Sequence, residues 1–113
     1  MDFNSIDEYG QFTLDMWITP DHPEIEDDRS LAIMTMGLAG EVGEVVEPIK
    51  KLFRDGTQPD KEMLKKELGD VVFYWARICR RFGFQPSEVL KANVEKLKSR
   101  HERGVLRGSG NDR

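Results

Sequence analysis

The sequence predicts an all-α domain, a bundle of about four helices, on three observations. Apolar residues recur three and four positions apart in four separate stretches. Breaks rich in proline or glycine separate those stretches. No segment shows the period-two alternation of a half-buried strand, and no internal repeat of useful length is present.

The first helix is expected from about Ser5 to Ile18, with Ile6, Tyr9, Phe12 and Met16 as its apolar stripe. Ser5 followed by Glu8 reads as a capping box, and Pro20 and Pro23 prevent the helix from continuing. The second runs from about Asp28 or Arg29 to Phe53, with Leu31, Met34, Leu38, Val42, Val45, Ile49 and Leu52 on one face. Pro48 lies inside it and predicts a kink; Asp55-Gly56 closes it. The third begins near Pro59, with Asp60 and Glu62 suiting the positive end of the helix dipole. Its core face carries Leu64, Leu68, Val71, Val72, Trp75, Ile78, Cys79 and Phe82, and Gly83 stops it. The fourth spans about Pro86 to Arg100, with Val89, Leu90, Val94 and Leu97 facing inward. Residues 1–102 thus form one domain, and 103–113 a flexible Gly/Arg-rich tail.

A chain of 113 residues buries roughly two-thirds of the surface it would expose unfolded, a modest core that oligomerisation would complete. Asp and Glu outnumber Lys and Arg by 21 to 17, for a net charge of −4. No basic field exists to attract duplex nucleic acid. Cys79 is the single cysteine, so no disulfide framework forms within the chain. The acidic N-terminus lacks a signal-peptide pattern, and no run reaches the roughly 18 apolar residues of a membrane span. A soluble, cytoplasmic protein is expected.

Helices two and three each carry two acids on an otherwise apolar face. Glu41 and Glu44 are three apart among Leu38, Val42 and Val45; Glu67 and Asp70 repeat the spacing among Leu64, Leu68, Val71 and Val72. A single such pair is ordinarily a solvated face. Two pairs on consecutive, antiparallel helices would face each other. Four converging carboxylates would hold at least one proton unless a cation lay between them, and an oxygen-only donor set suits Mg²⁺. Gly37, Gly40, Gly43 and Gly69 flank the acids. Each costs roughly 1 kcal/mol relative to alanine in a helix, which close helix approach or room for a ligand would explain. One turn beyond Asp70 come Tyr74, then Arg77 and Arg81, either phosphate contacts or ordinary surface charges. Asn93, Lys96 and Arg100 line one side of the fourth helix, where a polyphosphate clamp and a solvated face are both open readings.

Gly37-Leu38-Ala39-Gly40-Glu41-Val42-Gly43-Glu44, followed by Lys66-Glu67-Leu68-Gly69-Asp70-Val71, resembles the MazG-like branch of the all-α nucleoside triphosphate pyrophosphohydrolases. Asn93 to Leu97 with Arg100 is similar to that family's fourth-helix phosphate-binding stretch, so the resemblance covers about residues 30–113. Many members have a further glutamate where this chain has Gly40; the glycine form is similar to the small deoxycytidine-triphosphatase-like branch. Glu47 could substitute as an outer ligand.

The resemblance implies Mg²⁺-dependent hydrolysis of a (deoxy)nucleoside triphosphate to the monophosphate and pyrophosphate, with Mn²⁺ able to substitute. Glu41, Glu44, Glu67 and Asp70 would hold the metal, and Glu44 or Glu41 would polarise the attacking water. Lys96 and Arg100, with Lys50 or Lys51, would hold the leaving phosphates, and Asn93 a sugar or phosphate edge. Trp17 and Tyr74 are candidate stacking partners for the base, with His22 a third contact. The family's habit implies a homodimer or homotetramer. Phosphoribosyl-ATP or a guanosine alarmone would fit the same acids, and a non-catalytic helical interaction module is the reading from a different class. A di-iron bundle is disfavoured because no histidine lies near the acids on these helices.

Overall fold

Short polar side chains set the helix starts. Ser5 Oγ accepts from the Asp7 amide at 3.1 Å and opens α1 (Ile6–Trp17). Asp27 Oδ1 accepts from the Ser30 amide at 2.8 Å and opens α2 (Asp28–Asp55). Asp60 Oδ1 takes the amides of Glu62 and Met63, at 3.0 and 3.2 Å, and opens α3 (Lys61–Arg81). Asp60 is therefore the cap and not a first-turn residue, a contact of about 1 kcal/mol. Before α4 (Pro86–Glu102) the Gln85 amide donates to Glu88 Oε1 at 3.1 Å, and Pro86 fills the first helical position, where no N–H is needed. This computed structural model describes residues 5–17, 27–104, 108, 110 and 111; Ile18, the Thr19–Pro23 break and His22 lie outside them.

The predicted four helices are all observed, in the expected order, and no strand occurs among the described residues. Helix α2 continues through Pro48 to Asp55, two residues past the expected end. Helix α3 is the centre of the arrangement: it packs against α1, α2 and α4, while α1 also meets α4. Asp7 ties these last two together, accepting from the Ser87 amide at 2.8 Å and the Ser87 hydroxyl at 2.5 Å. Those bonds hold the Asp7 carboxyl below the usual carboxylate range.

Among the described residues α2 packs along its length on α3 alone, with one bond from the end of α1, Trp17 to Ser30, at its start. Among its less exposed residues, Leu31, Met34, Leu38, Glu41, Val45, Pro48 and Leu52 follow a three-four rhythm and mark the face turned to α3. A helix with one neighbour buries one narrow stripe. Several residues expected on core faces are exposed in the single chain: Val42 and Ile49 on α2, Leu68 and Val72 on α3, Phe82 just past its end, and Leu90, Val94 and Leu97 on α4. Phe53, at the end of α2, is 84% exposed. The buried apolar residues are few, among them Met34, Ala76 and Cys79. The radius of gyration is 17.0 Å, against about 13 Å for a compact chain of this length. No helix of the described residues is long and apolar enough to cross a membrane.

Candidate active site

The seam between α2 and α3 brings together three of the four predicted carboxylates. One oxygen each from Glu41, Glu67 and Asp70 lies within 4.8 Å of the other two. Glu41 and Glu67 are half-buried, and Asp70 is exposed. Burial, then the hydrogen bond it shares with Glu67 and the charges of Asp70, Glu67 and Glu44, pushes the Glu41 carboxyl above its usual range. Three acids forced together in this way, with no nitrogen or sulfur donor in the group, fit a hard divalent cation that coordinates through oxygen. Glu44 is exposed and outside the trio. Glu44 stands about 60° round α2 from Glu41, and its charge still acts on Glu41 although it contributes no oxygen to the trio.

The flanking glycines divide into two kinds. A Cβ on Gly37 would lie 2.4 Å from Tyr74 Cε1 and 2.5 Å from Cζ, so the glycine lets the ring lie against α2. At Gly40, Gly43 and Gly69 an added Cβ meets nothing within 4 Å. Close approach explains the first, and open space lies beside the other three. Gly37→Ala gains about 1 kcal/mol of helix propensity and loses about 1–3 kcal/mol by overpacking. A net loss of about 1 kcal/mol in urea unfolding is expected, with Tyr74 displaced.

Tyr74 and Trp17, predicted as base contacts, meet edge-to-face at 6.4 Å, and Phe73 lies 5.4 Å from Tyr74. The Trp17 indole N–H donates to Ser30 Oγ at 3.1 Å. Arg77, expected at the surface or on a phosphate, is 1% exposed; its guanidinium lies 6.0 Å from the Trp17 ring and 3.5 Å from Thr13 Oγ1. Helix α1 covers it.

Tyr9 escaped the sequence reading, which placed it in the α1 stripe. Burial and then the charge of Asp70 raise its phenol above the ordinary range. Tyr9 also lines a shallow hollow of about 480 Å³ between α1 and α3, with Ser5, Ile6, Gly69 and Val72. The available signal was a hydroxyl-bearing ring on a stripe whose other members, Ile6, Phe12 and Met16, have no polar tip.

The predicted cations sit apart from one another. Lys51 is exposed on α2, while Lys50 pairs with Glu47 at 2.9 Å and holds that carboxylate below its usual range. Asn93 and Lys96 line a second hollow, of about 520 Å³, with Phe84, Glu88, Val89 and Ala92. Arg100 is 4% exposed. These three stand on α4, which makes no contact with α2 among the described residues.

Residues 29–105 match the model of the MazG nucleotide pyrophosphohydrolase domain. The span contains the whole α2–α3 seam and α4. The chain is also 38% identical over 112 residues to the Gene 37 protein of Mycobacterium phage L5, an alignment covering 96% of this chain and 98% of that one. No solved structure matches the chain. With the acid-bearing helices inside the matched span, this chain belongs to the MazG nucleotide pyrophosphohydrolase family.

Proposed function

We propose that the chain hydrolyses (deoxy)nucleoside triphosphates to the monophosphate and pyrophosphate with Mg²⁺, Mn²⁺ substituting, in the cytoplasm. The observation that carries this reading is the convergence of Glu41, Glu67 and Asp70 within the family-matched span. These three residues would hold the cation, with Glu44 at the edge. The cation, when bound, supplies positive charge against the phosphates.

The chain's own residues divide the remaining work. Glu44, exposed and one turn along α2, orients a water and takes its proton as the oxygen attacks the α-phosphorus. The bond from that phosphorus to the bridging oxygen breaks, and pyrophosphate leaves. Lys96 and Arg100, with Lys51, hold the departing phosphates, Asn93 a sugar or phosphate edge. Trp17 and Tyr74 contribute an aromatic wall for the base, and residues 1–102 act as one catalytic domain.

A second copy of the chain completes this domain. The exposed apolar residues on α2, α3 and α4 supply the surface, and an assembled pair would give the acids of one chain cations from another. Sedimentation is expected to show a dimer or tetramer; an active monomer refutes that part.

The deciding experiment is pyrophosphate release from a panel of canonical and modified nucleoside triphosphates, with Mg²⁺ and with excess chelator. Metal-dependent release with one base preferred is the expected result. A folded protein that stays silent on this panel but cleaves phosphoribosyl-ATP or a guanosine alarmone changes the substrate. Silence on all of them leaves an interaction module.

A further inference from the structure

We propose that Lys66, in the second turn of α3, is a substrate-contacting residue that holds a phosphate oxygen of the substrate beside the carboxylate trio. The inference rests on the reading of the α2–α3 seam as the place where a nucleoside triphosphate meets the metal. Charge balance poses the need. Glu41, Glu44, Glu67 and Asp70 together carry more negative charge than one divalent cation cancels, and a triphosphate brings more. Beyond burial, the groups acting on Glu41 are all acids: Glu67, Asp70 and Glu44. A polyanion settles there only where the chain supplies a cation within reach.

The two helices leave few candidates. Helix α2 has no Lys or Arg between Arg29 and Lys50, and Lys50 pairs with Glu47 at 2.9 Å. Helix α3 has none between Lys66 and Arg77, and Arg77 is 1% exposed. Along α2 and α3, Lys65 and Lys66 are therefore the cations within a turn of any of the four acids.

Helix geometry separates these two. Lys66 and Asp70 stand about 40° apart round α3, whereas Lys65 stands about 140° from Asp70. Helical side chains lean toward the N-terminus, so Asp70 leans over the turn that carries Lys66. Asp70 is the exposed member of the trio, and Lys66 is exposed as well. Among the described residues no ion pair joins Lys66 to Asp70, or to Glu62 four residues before it. Its ammonium is not committed to a carboxylate, and its flexible stem lets three donors turn to a ligand. A solvated Glu62–Lys66–Asp70 charge ladder would use the same spacing, but it would act on helix stability and not on phosphate binding.

Lys66→Gln keeps most of the stem and loses the charge. It is expected to weaken binding of inorganic pyrophosphate in Mg²⁺ about tenfold. The same variant should lower kcat/KM for a nucleoside triphosphate by a similar factor, mainly through KM, and added salt should shrink both losses. Lys66→Arg keeps the charge and should stay within about threefold of the parent. Lys65→Gln removes the same charge from another side of α3 and should change neither quantity. In chelator, Tm of all three variants should stay within about 1–2 °C of the parent.

Pyrophosphate binding reads the contact without turnover. A chain silent on every triphosphate, whose pyrophosphate affinity falls in Lys66→Gln alone, keeps the contact and loses the hydrolysis reading. An active chain whose Lys66→Gln variant binds and turns over as the parent does overturns the contact and keeps the reading. Equal losses in Lys66→Gln and Lys65→Gln also overturn it, leaving a general charge effect. So does weaker binding that appears only with a fall in Tm, and so does a parent that binds no pyrophosphate.

Discussion

Glu67→Gln is expected to lower pyrophosphate release on the order of 10²–10³-fold while leaving the helical circular dichroism unchanged. Glu67 belongs to the trio whose oxygens lie within 4.8 Å of one another, and it shares a hydrogen bond with Glu41. Glutamine keeps the length and the hydrogen bond but loses a negative ligand. Without metal, the variant should unfold at a higher temperature than the parent, because the Glu41 carboxyl no longer faces a second carboxylate. The linkage has a definite sign. Glu41 titrates above the ordinary glutamate value of 4.5 in the folded chain, so between the two values the native state holds more protons than the unfolded state. Stability in chelator therefore falls as pH rises from 4.5 through the raised folded value, and the fall is smaller in Glu67→Gln. Added Mg²⁺ should stabilise the parent at neutral pH more than the variant. Thermal melts in chelator and in Mg²⁺ across pH 4–8 check all three statements. A fully active Glu67→Gln protein would remove the metal role from this seam.

Local chemistry explains why the helices were legible and their partners were not. Asp27, Asp60 and Gly56 act within a turn of their own position, so sequence placed α2 and α3 to within about two residues. Spacing also identified the acids, and three of the four converge. Glu44 departs because period alone does not say how far round a helix a neighbour reaches. Leu90, Val94 and Leu97 show the same limit for apolar faces. Periodicity marks which side of α4 is apolar, but what covers that side depends on tertiary and quaternary contacts. In the single chain all three are exposed. Tyr9 and Asp7 act across more than 60 positions of sequence, on Asp70 and Ser87, and no local pattern encodes such a pairing.

Arg77→Ala is expected to destabilise the fold by about 2–4 kcal/mol, a fall of roughly 10–20 °C in Tm. Arg77 leads the fully buried side chains in size and fills the space between α1 and α3, beside Thr13 and under Trp17. Alanine leaves a cavity and strips Thr13 Oγ1 of its donor, so the loss combines packing with an interrupted polar contact. Arg77→Met, which refills much of the volume, should recover about half of the loss. A surface or phosphate-contacting arginine behaves differently: its removal changes KM and the salt dependence of binding while Tm stays within about 1–2 °C. Measuring Tm and KM on the same preparations separates the cases. A large Tm loss, partly restored by methionine, assigns Arg77 to the junction that holds α1 against α3. That junction also holds α1, with Tyr9, against the helix that carries Glu67 and Asp70, so a KM change appearing only together with the Tm loss would be its secondary effect. Unchanged Tm with weakened substrate binding would return Arg77 to the site.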